Sequence, residues 1–118
     1  MRCYLKPIEL ARTITTIIED RKGEDIVLLD IQKISDFTDY FVICSGTSDR
    51  MIDALANDVV KQLRTEDKVR GSVEGEPHDG WILVDYGSVI LHIFSPNRRQ
   101  FYNLDELWAE GKTLLHLQ

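Results

Sequence analysis

The sequence predicts an α/β domain with a mixed sheet of about five strands and flanking helices. Three observations carry that prediction. Segments with helical spacing and apolar runs of strand length succeed one another in the order helix, strand, strand, helix, strand, strand, strand, helix. Direct strand-to-strand joins preclude a sheet built only from parallel crossover units, which need long connections. Two apolar runs, Trp81 to Val84 and Val89 to Phe94, flank Asp85-Tyr86-Gly87-Ser88, whose Gly and Asp suit a reversing turn, so they pair as a hairpin.

The first helix begins at Pro7, where a missing N–H costs nothing, and Leu10, Ala11, Ile14, Ile17 and Ile18 form its apolar stripe. Gly23 is expected to end it in a left-handed conformation. Asp25 to Ile31 is a near-continuous apolar run and reads as a central strand covered on both faces. A polar, turn-prone stretch, Gln32 to Asp39, leads to a second buried strand, Tyr40 to Cys44. Ser48 is placed to cap the next helix, in which Ile52, Leu55, Ala56, Val59 and Leu63 follow the 3.6-residue period, with Lys61 and Arg64 at the favourable end of its dipole. A short strand around Val69 to Val73, the loop Glu74 to Asp79 and the hairpin follow. Period-two alternation makes both hairpin faces apolar, so cover on both sides is expected. Ser95-Pro96 reads as a cap and first turn for an amphipathic segment carrying Phe101, Tyr102, Leu104, Leu107 and Trp108. The tail from Lys112 to Gln118, with Leu114, Leu115 and Leu117, either docks on the domain or pairs with a neighbour, which leaves a homodimer open.

At 118 residues the chain is sized for one domain, residues 1–118, with a single core. A formal net charge of −6 argues against broad binding to a phosphate backbone and favours a basic protein partner. Cys3 and Cys44 give no disulfide framework and are both expected reduced. Neither a signal-like apolar run nor the roughly 18 continuous apolar residues of a membrane span occurs, so a cytoplasmic protein without a membrane partner is expected. His78, His92 and His116 are far apart, no Cys or His pair has zinc-ligand spacing, and neither metal nor cofactor is expected.

An ordered set of short motifs points further: Asp25-Ile26, Thr38-Asp39-Tyr40-Phe41-Val42-Ile43, Ser45-Gly46-Thr47-Ser48, Glu74-Gly75, Gly80-Trp81, Asp85, His92, Arg99, Tyr102-Asn103-Leu104 and Leu107-Trp108. In that order and spacing, over nearly the whole chain, the sequence resembles the ribosomal silencing factor family, also called Iojap-like. The resemblance implies a fold similar to a minimal nucleotidyltransferase. It also implies a non-enzymatic translational repressor that docks on the large ribosomal subunit, through large-subunit ribosomal protein fourteen, and sterically blocks joining of the small subunit.

A nucleotidyltransferase-like fold makes the enzymatic alternative worth weighing. Two-metal phosphoryl transfer needs carboxylates converging on one metal pair. Asp30 is followed two residues on by Gln32 and Asp85 by Gly87, so neither strand end offers the pair, and Asp36 and Asp39 fall in a loop. A nucleotide-binding role for the Gly46 to Asp49 turn stays open, although the turn lacks a Walker lysine and a three-glycine fingerprint. Trp81 reads equally as a core residue and as an exposed anchor. Arg98 and Arg99 give direct RNA contact a minor part. The candidate partner-binding residues are Trp81, Asp85, Tyr86, His92, Arg99 and Tyr102.

Overall fold

The structure is a computed structural model that describes residues 6–107 and 110–117. Trp108, whose helical spacing from Leu104 and Leu107 predicts a core position, and Cys3, expected reduced, lie outside the described residues. The elements are α1 (Pro7–Asp20), β1 (Glu24–Asp30), β2 (Tyr40–Ser45), α2 (Asp49–Glu66), β3 (Ser72–Glu76), β4 (Trp81–Asp85), β5 (Val89–Phe94), α3 (Pro96–Tyr102), α4 (Leu104–Leu107) and β6 (Lys112–Leu117). A single 3-10 turn, Pro77–Asp79, joins β3 to β4.

The strands form one mixed sheet in the order β3-β4-β5-β2-β1-β6. Only the central β2–β5 pair is parallel; every other neighbouring pair is antiparallel. The hairpin stands as expected, with Trp81 opposite Phe94 and Asp85 opposite Ile90. The sixth strand goes beyond the five expected: the leucine-rich tail docks on the domain itself, pairing Ile26 with Leu117 and Asp30 with Lys112. The third strand starts later than expected, at Ser72, and takes up Glu74 to Glu76 from the expected loop. Its side chains are all exposed, so no apolar alternation fixed its bounds.

The two long helices, α1 and α2, lie on one face of the sheet. Their apolar stripes meet Ile26 and Leu28 of β1, Val42 and Cys44 of β2, Ile82 and Val84 of β4, and Leu91 and Ile93 of β5 in one core. Both helix entries are satisfied locally: the Glu9 carboxylate accepts from the Lys6 N–H at 3.0 Å, and the Ser48 hydroxyl accepts from the Met51 N–H at 3.1 Å. Cys44 is a free, fully buried thiol whose pKa burial pushes up to about 12, so it behaves as a small core hydrophobe. On the other sheet face a smaller cluster of Val27, Leu29, Ile31, Phe41, Ile43, Ile90 and Phe94 is capped in part by Leu104 of α4.

Gly23 does not end α1 in the left-handed region as expected; Lys22 occupies it, at φ 69°. The glycine is needed one residue later for space, because a β-carbon there would overlap the buried Ile18 side chain and sit 3.2 Å from the Ile18 carbonyl oxygen. Its N–H donates to that carbonyl at 2.9 Å and closes the helix. Gly23→Ala should therefore lower unfolding free energy by about 1–3 kcal/mol, the usual range for overpacking a filled site, as read from denaturant unfolding. A loss below ~0.5 kcal/mol would show that Ile18 yields freely and that the contact is not tight.

Candidate functional site

Strand alternation sorts the side chains of β4 and β5. Ile82, Val84, Leu91 and Ile93 go to the helix side; Trp81, Leu83, Asp85, Ile90, His92 and Phe94 go to the face that α1 and α2 leave open. On β4 the burial alternates accordingly, with Ile82 and Val84 buried and Trp81, Leu83 and Asp85 only half-buried. The expected cover on both sides of the hairpin is thus complete on one side only.

Across this open face runs a row of rings. Phe37 meets Phe41 at 6.1 Å between centroids, Phe41 meets His92 edge-on at 4.7 Å, and the His92 ring lies 6.0 Å from Trp81. Trp81 stacks on Phe94 at 5.1 Å and contacts Tyr102 at 4.6 Å, and Phe101 packs edge-on against Tyr102 at 5.1 Å. Each such pair contributes about 0.5–1.5 kcal/mol beyond its buried area. The two ends of the row face solvent: Phe101 is 73% exposed, Phe37 59% and Tyr102 40%. Trp81 lies between the two readings its sequence allowed, with one side packed on the row and the other on the open surface.

Helix α3 delivers Phe101 and Tyr102 to this row. Its cap is Ser95, whose hydroxyl accepts from the Arg98 N–H at 3.2 Å, and Asn103, left-handed at φ 49°, stops it one turn short of the continuous segment the spacing suggested. The break allows Leu104 to turn inward onto the second cluster while Phe101 and Tyr102 stay outside. Arg99 fastens this helix to the sheet. It is 8% exposed, and its Nη1 donates to the Asp25 carbonyl oxygen and to the Ser45 hydroxyl at 3.1 Å, with the Asp25 carboxylate 3.6 Å away.

The six sequence candidates therefore divide. Trp81, His92, Tyr102 and Asp85 share the open face. Arg99 lies beneath it, engaged with β1 and β2. Tyr86 turns to the helix side, packing beside Val84 and Gly71, with its phenol buried, unpartnered and pushed up to about 12 by desolvation. The sequence reading missed Leu83, Phe37 and the acidic edge of Glu74 and Glu76, which pair with Leu83 and Trp81 and are exposed beside them. Their signal was the same period-two alternation, but alternation does not say which face lacks a helix.

Asp85 accepts from the Gly87 N–H at 2.7 Å and so fixes the hairpin turn; Asp30 caps its own turn in the same way, accepting from the Gln32 N–H at 3.1 Å. They lie at one end of the sheet but on opposite faces, with β5 and β2 between them, so they cannot converge on one metal pair. Among the described residues no three His, Cys, Asp or Glu side chains gather as a metal site, and no helix is long and apolar enough to cross a membrane. Gly46, in the turn weighed for nucleotide, donates its N–H to the Phe94 carbonyl and leaves no room for a β-carbon against Ile52.

Fold and face together define an α/β scaffold with long helices on one sheet face and a partly open aromatic surface on the other. The family model described as "Ribosomal silencing factor during starvation" matches residues 5–117, and the chain belongs to that family. Its relatives include the ribosomal silencing factor RsfS of Bacillus subtilis, 38% identical over 93 residues that cover 79% of each chain. The RsfS of Halalkalibacterium halodurans is 32% identical over 106 residues, covering 90% of this chain and 91% of that one. The chloroplastic Iojap protein of Zea mays is 30% identical over 109 residues, 92% of this chain and 46% of its own. A crystal structure of a Chromobacterium violaceum protein superposes with a TM-score of 0.84 at 31% identity, covering 97% of this chain and 94% of that chain. Proteins of this family are regulators of the ribosome rather than enzymes.

Burial of His92 couples the stability of this face to pH. Its Nδ1 accepts from the Trp81 indole N–H at 3.3 Å, which leaves the proton on Nε2, buried without a partner. Burial lowers its pKa from 6.5 to about 4. The unfolded chain takes up a proton from about pH 6.5 downward that the folded chain refuses until about pH 4. This contribution to stability is therefore full above pH 6.5 and falls through that window, by on the order of 3 kcal/mol. His92→Phe should flatten that part of the stability profile measured by denaturant unfolding at several pH values. An unchanged slope would assign the acid sensitivity to another group.

Proposed function

We propose that this protein represses translation by docking its open sheet face on the large ribosomal subunit, through large-subunit ribosomal protein fourteen, and so blocks joining of the small subunit. The observation that carries this reading is the aromatic row with its acidic edge. Half-exposed Trp81 and Leu83 and exposed Phe101 and Tyr102 offer the large, stiff apolar groups that anchor protein interfaces. Glu74, Glu76 and Asp85 border them, and a basic ribosomal protein complements such an edge. The mechanism is occlusion, with no bond made or broken, and it takes place in the cytoplasm with the ribosomes. Direct contact with RNA has a minor part, because Arg99 spends its charge inside the fold on Asp25 and Ser45.

Within the docking face Trp81, Tyr102 and Asp85 meet the partner directly. His92 and Arg99 act from below, the first by orienting the Trp81 indole and the second by fixing α3. Tyr86 holds the hairpin against the helix side and contributes through the hairpin's shape.

Co-sedimentation with isolated subunits tests the reading: the protein should travel with large subunits and not with small ones. Phe101→Ser should weaken that binding by about 1–2 kcal/mol with little change in melting temperature, since the ring is mostly exposed. Asp85→Asn keeps an acceptor for the turn and should weaken binding chiefly at low salt, the difference closing as salt screens the charge. Equal binding to both subunits, or a Phe101→Ser variant that binds as well as the parent, would contradict this account.

A further inference from the structure

Helix α3 presents Phe101 and Tyr102 on the aromatic face, yet of its seven residues only Arg99 is buried. The place of the helix, and with it the contact of Tyr102 with Trp81, therefore depends on where the Arg99 guanidinium is held. Arg99 and Tyr102 lie three residues apart and so on one side of the helix, where a shift of the first carries the second. The guanidinium is received at a β-bulge. β1 pairs Glu24 with Ser45 and Val27 with Ile43, so Asp25 and Ile26 together stand against Cys44. A bulge leaves its extra residue out of the ladder, and the Asp25 carbonyl oxygen accepts from Arg99 Nη1 instead. Asp25 is left-handed there, at φ 49°, a conformation that glycine adopts freely and that strains a side chain. The backbone alone thus gives no reason for an aspartate. Its carboxylate does: one oxygen meets His116 Nε2 of β6 at 2.6 Å, and the other lies 3.6 Å from Arg99 Nη1.

We propose that Asp25 is a positioning residue for docking: pinned between His116 and Arg99, it fixes the place of α3 and so sets Tyr102 against Trp81 in the arrangement the partner meets. This role rests on the docking function given above to the aromatic face. The two contacts of the carboxylate oppose rotation of the residue, and that rotation is what would turn its carbonyl oxygen away from Arg99. His116 belongs to the strand at the opposite end of the sheet from β3, so the docking face is arranged in part from the far edge. Asp25 and His116 are both exposed, so replacing them leaves the packing of the core intact, and any change read at Tyr102 arrives through Arg99.

Two readouts on the full chain test this, one of them without ribosomes. In the free protein, nuclear Overhauser contacts between the Trp81 and Tyr102 rings report the place of α3; co-sedimentation with isolated large subunits reports docking. Asp25→Ala removes the carboxylate and the tolerance of a left-handed backbone, and should lose the ring contacts and weaken binding about tenfold. Asp25→Asn keeps that tolerance and an acceptor oxygen, and should keep the ring contacts and bind within about threefold of the parent, since an exposed charge pair contributes little. In a Phe101→Ser, Tyr102→Ser background Asp25→Ala should cost no further affinity, because it acts through the element those changes have already disarmed. Should circular dichroism show Asp25→Ala unfolded, His116→Ala takes its place in every arm, with a smaller loss expected. Ring contacts that persist in the variant, or an equal loss of affinity in both backgrounds, would overturn the proposal. A parent that keeps its ring contacts but binds no large subunits would instead overturn the docking function, and the role of Asp25 in it.

Discussion

The constraint on which the rest of this structure depends is that a two-faced apolar sheet receives its long helices on one face only. Helices α1 and α2 are both committed to the side of Ile26, Val42, Ile82 and Leu91. The opposite side holds a second cluster around Phe41, Ile43 and Phe94 that has only short helices to cover it. Large flat rings solve this problem partly, because each excludes water over a wide area at little entropic cost. The row from Phe37 to Phe101 seals the centre of the face and leaves its ends and upper side accessible. The residues that stabilise this face are thus the same ones proposed to dock.

Two buried polar residues make that arrangement a fixed one. His92 gives the Trp81 indole an acceptor and so defines the orientation of the ring, while leaving its own second nitrogen without a partner. Arg99 pins α3 through the Asp25 carbonyl oxygen and Ser45, on strands far from it in sequence. Asp25 is itself held in the left-handed region at φ 49° beside a register shift in β1, and its carboxylate also meets His116 of β6 at 2.6 Å. One irregular residue therefore ties the helix that presents Tyr102 to the strand at the far edge of the sheet.

Much of the fold was legible in the sequence. The stripes of α1 and α2, the buried runs of β1 and β2 and the hairpin turn all announced themselves through periodicity and cap chemistry. The order of helices and strands gave the mixed sheet. What stayed hidden depended on partners distant in sequence. A short strand was legible near Val73, but the bounds of β3, which has no buried side chain, are set by the edge that β4 offers it. β6 was one of two readings of a leucine-rich tail, and only its docking against β1 decides between them. At the site, the ordered motifs selected Trp81, His92, Arg99 and Tyr102 but could not assign them depth. Two adjacent arginines at the start of a helix look like a solvated face; Arg98 is exposed and Arg99 is buried, because only the latter reaches Asp25 and Ser45. Tyr86 follows the strand at the turn, where one residue of rotation sends a side chain to either face.

The central claim is that the face without long helices is the one that meets the ribosome. Hydrogen exchange of the backbone amides, compared between the free protein and its complex with large subunits, tests it most directly. Protection should appear on β3, β4 and α3 and leave the exposed sides of α1 and α2 unchanged. Protection confined to α1 and α2, with β4 and α3 exchanging as in the free protein, would contradict it.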